Sequence, residues 1–133
     1  MPNIKRPKVG VGVYIKNKKG EILLLKRKGA HGSGTWYPPG GHLEFGESFE
    51  KCARREAKEE LDVNIKNIKI AGVTNDIFGE KHYITIAVKA DLKSGNPKIM
   101  EPRKSTEFGW FKIEKFPQTL FLPVKHFLKY YKS

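Results

Sequence analysis

Three glutamates, Glu56, Glu59 and Glu60, stand at i, i+3 and i+4 in a stretch, Ser48 to Leu61, whose pattern predicts a helix. At 3.6 residues per turn these positions share one face. Phe49, Cys52 and Ala53 fall on the same side, while Lys51, Arg54 and Lys58 point the other way. The acids therefore border the core-facing stripe and the bases take the solvent, the reverse of the usual arrangement. Carboxylates about 4 Å apart repel by roughly 4 kcal/mol at an effective dielectric of about 20. A shared cation relieves that crowding. Hard divalent ions with oxygen ligands, Mg²⁺ above all (with Mn²⁺ as a substitute), suit an all-carboxylate set. No His or Cys at zinc spacing accompanies the acids. Read from EAKEE alone, the same residues also fit a solvated helix face making i,i+4 pairs with Lys and Arg.

The wider spacing separates these readings. Gly41 is followed by five residues and Glu47; seven more lead to Arg55-Glu56, then Ala57, Lys58, Glu59-Glu60, Leu61, Asp62 and Val63. This resembles the signature of the Nudix hydrolases: Gly, five residues, Glu, seven residues, Arg-Glu, an aliphatic, any residue, Glu-Glu, any residue, Gly, an aliphatic. Two positions depart from it. Ala57 is a small aliphatic, and Asp62 stands where the pattern has the Gly that ends the helix in a left-handed conformation, which Asp tolerates better than most residues. The runs KRKGAHGSGTW, PGGHLEFGES, HYITI and EPRKSTEFGWF are similar to the MutT-like branch that hydrolyses nucleoside triphosphates, the branch that includes the human thiopurine-nucleotide hydrolase.

The resemblance covers almost the whole chain. It implies an α+β protein with the Nudix fold, a mixed β-sheet sandwiched between helices (an α/β/α sandwich). It implies Mg²⁺-dependent cleavage of a phosphoanhydride in a nucleoside diphosphate linked to a group X, yielding a nucleoside monophosphate and pyrophosphate when X is phosphate. Such chemistry needs neutralised phosphates and a deprotonated nucleophile. By resemblance Glu56, Glu60 and Glu59 are metal ligands, for one to three ions, with Glu56 also a candidate general base. A backbone carbonyl of Gly40 or Gly41 is a further oxygen ligand. Glu47 folds back over the helix start near Arg55, which orients the glutamates. A later acid assists, Glu101 or Glu107, and Glu107 is carried as the metal ligand. Substrate contacts are expected from Arg27, from His31 and Thr35 in the GAHGSGT loop, from Gly40, Gly41 and Thr85, and from the Phe108–Trp110 region. An aromatic stacked on a base contributes about 1–3 kcal/mol. Alternative substrates of the same chemistry are ADP-ribose, a dinucleoside polyphosphate or a capped RNA end. Against ADP-ribose, no proline follows Val63 until Pro97, so the proline that marks that branch some fifteen residues after the signature is missing. A catalytically inactive module binding nucleotide or RNA is the reading from another class, and intact Glu56, Glu59 and Glu60 argue against it.

Composition bounds the rest. A length of 133 residues fits a single domain, 1–133, with one core. No apolar run marks the N-terminus and none approaches a membrane span, so a cytoplasmic protein with no membrane partner is expected. The single Cys52 reads as a buried, reduced thiol. The net charge is +12, yet the stretch from His42 to Asp62 holds seven acids and four bases, leaving +15 on the remainder. A positive field attracts polyanions, so a nucleotide substrate is favoured and nucleic acid, though not required, stays compatible. A homodimer is expected from the resemblance.

Alternation predicts a strand over Val9–Ile15, a turn at Asn17–Gly20, and a second strand over Glu21–Arg27 as its hairpin partner. The Gly-rich loop Gly29–Thr35 lacks the lysine of a P-loop, and Trp36 reads as core. Strands follow near Ile68–Asn75, over His82–Ala90 and over Thr106–Lys112, with a loop at Asp91–Arg103. A basic helix spans Leu122–Tyr131.

Overall fold

The computed structural model describes residues 4–29 and 32–131. Among these are seven strands and two α-helices: β1 (Lys8–Lys16), β2 (Ile22–Arg27), β3 (Trp36–Tyr37), β4 (Gly40–His42), α1 (Phe49–Leu61), β5 (Asn64–Phe78), β6 (Lys81–Ser94), β7 (Ser105–Phe111) and α2 (Leu122–Tyr131). The sheet runs β3-β2-β1-β6-β5, with β4 also paired to β1 and β7 to β2. It is mixed, because β1 and β6 run parallel over nine residue pairs while the other ladders are antiparallel.

The expected antiparallel β1–β2 hairpin forms, but its ladder is short. The two strands pair at Lys16↔Ile22, beside the turn, and then part. β2 goes on to pair with β7 and β3, and the vacated edge of β1 takes β4. Two buried strands of similar pattern are indistinguishable in sequence, and the choice of partner is made by the rest of the sheet. β5 and β6 also exceed their predicted spans, because register shifts at Lys66/Lys69 and Ile70/Gly72 interrupt the alternation without ending the ladder.

The pleat of β1 sorts the two layers. Gly41 is opposite Val11, and a β-carbon on Gly41 would point at Glu56, so α1 covers the face carrying Val11, Val13 and Ile15. Tyr14 points the other way and stacks on Phe127 of α2, with ring centroids 4.6 Å apart. The helices therefore lie on opposite faces of the sheet. Cys52, Ala53, Glu56, Ala57, Glu60 and Leu61 are the buried positions of α1, two adjacent residues per turn. Val13, Ile15, Leu61 and Val63 are fully buried, each contributing about 1.5–3 kcal/mol over exposure. Ser48 caps α1, its hydroxyl accepting from the Lys51 amide at 3.0 Å. Asp62 closes the other end at φ 55°, ψ 44°, the left-handed conformation the signature reserves for Gly, with Lys58 at 3.0 Å and Lys98 at 3.5 Å from its carboxylate.

Candidate active site

α1, the two-glycine strand β4, β1 and the start of α2 line a cleft of about 540 Å³. Glu56 and Glu60 line it while only 7% and 4% exposed, on successive turns of α1. Glu59 lines it too, but its side chain is 53% exposed at the rim. The triad of the sequence is thus two buried carboxylates and one at the mouth.

Backbone geometry holds the buried pair. The Val13 amide donates to Pro39 O and the Leu43 amide to Val9 O, an antiparallel register that turns both polar groups of Gly40 away from β1. The Gly40 amide donates to Glu60 Oε2 at 2.7 Å. A β-carbon on Gly40 would stand 2.0 Å from the Val11 carbonyl oxygen, so β4 can approach β1 only as glycine. One residue on, the space a Gly41 side chain would fill belongs to the Glu56 carboxylate.

Arg55 joins these parts. Its Nε donates to Glu47 Oε2 at 2.7 Å and its Nη2 to Oε1 at 3.0 Å, a bidentate pair. Its Nη1 reaches Glu56 Oε1 at 2.7 Å and Glu59 Oε2 at 3.3 Å, and Nη2 also donates to His42 O at 3.2 Å. Glu47 further accepts from the Glu44 amide at 3.0 Å, pinning the turn before α1. The guanidinium holds the Glu47 carboxylate at about 2, well below the usual range. A single arginine therefore relieves part of the crowding that the sequence assigns wholly to a metal. Among the described residues no three His, Cys, Asp or Glu side chains converge into a ready ion cage.

Glu60 is treated differently. Among the described residues no Lys or Arg forms an ion pair with it. Burial, then the charges of Glu56 and Glu101, raise it to about 8, against the opposing Gly40 amide and Lys104. Burial also raises Glu56, against the pull of Arg55. Two buried, acid-weakened carboxylates beside a Gly40 carbonyl turned away from β1 form an all-oxygen donor set suited to a hard divalent ion.

The remaining expectations divide. Arg27, Gly40, Gly41 and Thr85 line the cleft. Thr85 faces α2 and gives its hydroxyl to the fully buried Asp76 at 2.6 Å. Thr35 lies away from the cleft lining, its hydroxyl closing the Gly-rich turn onto Gly32 O. Glu107 is exposed on β7 opposite Lys26, outside the lining; Glu101 is the later acid whose charge reaches Glu60. Phe108 and Trp110 pack on the core rather than on the cleft, and Trp36 packs edge-on to Phe111 at 5.2 Å. His31 lies outside the described residues. Cys52 is buried, its thiol pushed up to about 12 by burial and then by Glu47.

Aromatics the sequence reading did not single out line the cleft, among them Tyr37, Phe78, Tyr83 and Phe121. Arg27 lies 4.2 Å from the Phe121 ring centre and 4.8 Å from that of Tyr37. His42 stacks on Tyr83 with its ring Nε2 2.9 Å from the phenol oxygen. Lys28, Lys81 and Lys104 complete a basic rim. None of these has a spacing signal, since they converge from segments scattered along the chain.

The chain belongs to the NUDIX family: the NUDIX domain matches residues 6–131. It is similar to the oxidized purine nucleoside triphosphate hydrolase of Danio rerio, 32% identical over 128 residues that cover 85% of this chain and 79% of that protein. The NAD-capped RNA hydrolase NudC of Pectobacterium atrosepticum is 28% identical over 112 residues, 84% of this chain but 42% of that longer protein. The crystal structure of a MutT NUDIX hydrolase from Burkholderia pseudomallei superimposes with a TM-score of 0.89 at 31% identity, covering 97% of this chain and 100% of that one. Among the described residues no helix is long and apolar enough to cross a membrane.

Proposed function

We propose that this chain is a Mg²⁺-dependent pyrophosphohydrolase of nucleoside diphosphate-X compounds, acting on nucleoside triphosphates to release a monophosphate and pyrophosphate. One observation carries the reading: two buried carboxylates, Glu56 and Glu60, face a cleft that also holds aromatic rings and lysines. Each part matches a part of such a substrate. The family membership and the likeness to the Danio rerio hydrolase, whose name specifies oxidized purine triphosphates, support it. A role in clearing damaged nucleotides from the pool follows from the same likeness.

Glu56, Glu60 and the Gly40 carbonyl would hold the divalent ion, with Glu59 at the rim and Glu101 nearby. When bound, that ion supplies charge neutralisation on the phosphates and acidifies a water. Arg55 orients Glu56 and ties it to the Glu47 turn. Glu56, weakened as an acid by burial, accepts the proton of the attacking water. Tyr37, Phe78, Tyr83 and Phe121 take the base, with Arg27 stacked against Phe121 to keep the slot shaped.

A second reading is favoured by one observation. Several of the relatives are NAD-capped RNA hydrolases, and the exposed bases of this chain would suit a longer polyanion. Incubating the purified protein with nucleoside triphosphates, ADP-ribose, dinucleoside polyphosphates and NAD-capped RNA, with separate detection of pyrophosphate and orthophosphate, decides between them. Pyrophosphate release from a triphosphate supports the first reading; turnover of none of the panel in Mg²⁺ or Mn²⁺ removes both.

A further inference from the structure

Lys104 is placed by its backbone rather than by its charge. Its amide donates to Glu101 O at 2.9 Å, and its carbonyl accepts from the Lys28 amide at 2.8 Å. The next residue, Ser105, is buried with its hydroxyl 2.6 Å from the Tyr37 phenol oxygen. These bonds hold the start of β7 against β2 and β3 and set the Lys104 side chain in the cleft that Glu56 and Glu60 face. Among the described residues the ammonium's ion pair is a loose one, to Glu101 Oε2 at 3.6 Å, and the side chain is 65% exposed. An exposed pair of that length contributes little and exchanges readily. Lys104 lines the same cleft as Glu56 and Glu60, yet its ion pair is with Glu101 and with neither of them. An ammonium that lines the cleft without pairing with its buried carboxylates can take an anion that enters between them.

We propose that Lys104 is a substrate-phosphate ligand, its ammonium exchanging Glu101 for a phosphate oxygen. The proposal rests on the pyrophosphohydrolase reading. An ammonium on a flexible stem adapts to a tetrahedral phosphate without a fixed fork, which suits a group that must also release product.

Inorganic pyrophosphate is the probe, titrated calorimetrically in saturating Mg²⁺ against the wild-type chain, Lys104→Met, Lys104→Arg and the control Lys18→Met in the β1–β2 turn. Lys104→Met should weaken binding by about tenfold or more, Lys104→Arg by about threefold or less, and Lys18→Met hardly at all. Thermal melts show that each variant is folded, and Lys104→Gln replaces any that is not. Equal affinity in Lys104→Met and wild type overturns the proposal, as does an equal loss in Lys18→Met, which would mark a diffuse field rather than a contact. The binding measurement needs no turnover. A wild type that hydrolyses no nucleotide while Lys104→Met still loses pyrophosphate removes the enzymatic reading and leaves the phosphate contact standing.

Discussion

A β-carbon on Gly41 would stand 2.6 Å from Oε1 of Glu56, so the buried carboxylate occupies the volume of the missing side chain. Glu56 cannot retreat freely, because Arg55 grips the same oxygen at 2.7 Å. Gly41→Ala should therefore leave the fold intact by circular dichroism and lower turnover by about tenfold or more, a barrier increase near 1.4 kcal/mol. Gly40→Ala meets backbone instead, the Val11 carbonyl at 2.0 Å. Its cost should appear as lost stability, about 2 kcal/mol or more in a denaturant titration. Similar losses of stability in the two variants would contradict the distinction.

Glu56→Gln and Glu60→Gln keep the side-chain shape and remove the charge. Each should lower kcat by at least about a hundredfold while the melting temperature holds or rises, since both carboxylates are buried against their preference. EDTA should abolish activity and added Mg²⁺ or Mn²⁺ restore it. Full turnover in either variant, or indifference to chelation, ends the assignment of these roles.

Glu60 links stability to pH in the metal-free protein. Its folded value is about 8 against an ordinary 4.5. Between these values the folded state keeps a proton that the unfolded chain has released, so this group's contribution to stability falls as pH rises from about 4.5 to 8. Glu60→Gln should flatten that part of the profile relative to wild type in EDTA. Parallel profiles for the two proteins would show that Glu60 is not the group responsible.

Glu47 acts in the opposite sense. Arg55 holds it at about 2, so its contribution is present above about 4.5 and disappears as pH falls toward 2. Arg55→Met removes the partner and should lose less stability than wild type on going from pH 5 to pH 3 in urea titrations. The same variant should be less active at neutral pH, because Glu56 loses its tether.

Asp62 sits at φ 55° and caps α1 where glycine is unstrained. Asp62→Ala should cost about 1 kcal/mol in denaturant midpoint terms, from backbone strain and the lost Lys58 and Lys98 pairs. Asp62→Gly should stay within about 0.5 kcal/mol of wild type, strain relief offsetting the lost pairs. A cost for the glycine variant as large as for alanine would show that the ion pairs, rather than the backbone, dominate this cap.

Much of the site was legible beforehand because its acids lie on one helix. Spacing along a helix is spacing in space, so Glu56, Glu59 and Glu60 share a face whatever the rest of the chain does. The same local logic located α2, which spans Leu122–Tyr131 as its pattern predicts, and the left-handed end at Asp62. The further partners of β2, β3 and β7, were not foreseen, and the cleft walls were misread. Thr35 and Glu107 have the right chemistry in nearby segments but point elsewhere, whereas Lys104 and Phe121 carried no marker and arrive through the sheet.

The one-dimensional pattern determined the family, the helix that carries the acids, and the glycines that let β4 lie close to them, since each depends on residues a few positions apart. Only the folded chain decided which acids are buried and which rings and lysines complete the cleft. Those outcomes depend on contacts between segments 20 to 100 residues apart, and such contacts follow from strand partners and sheet faces that no local spacing encodes.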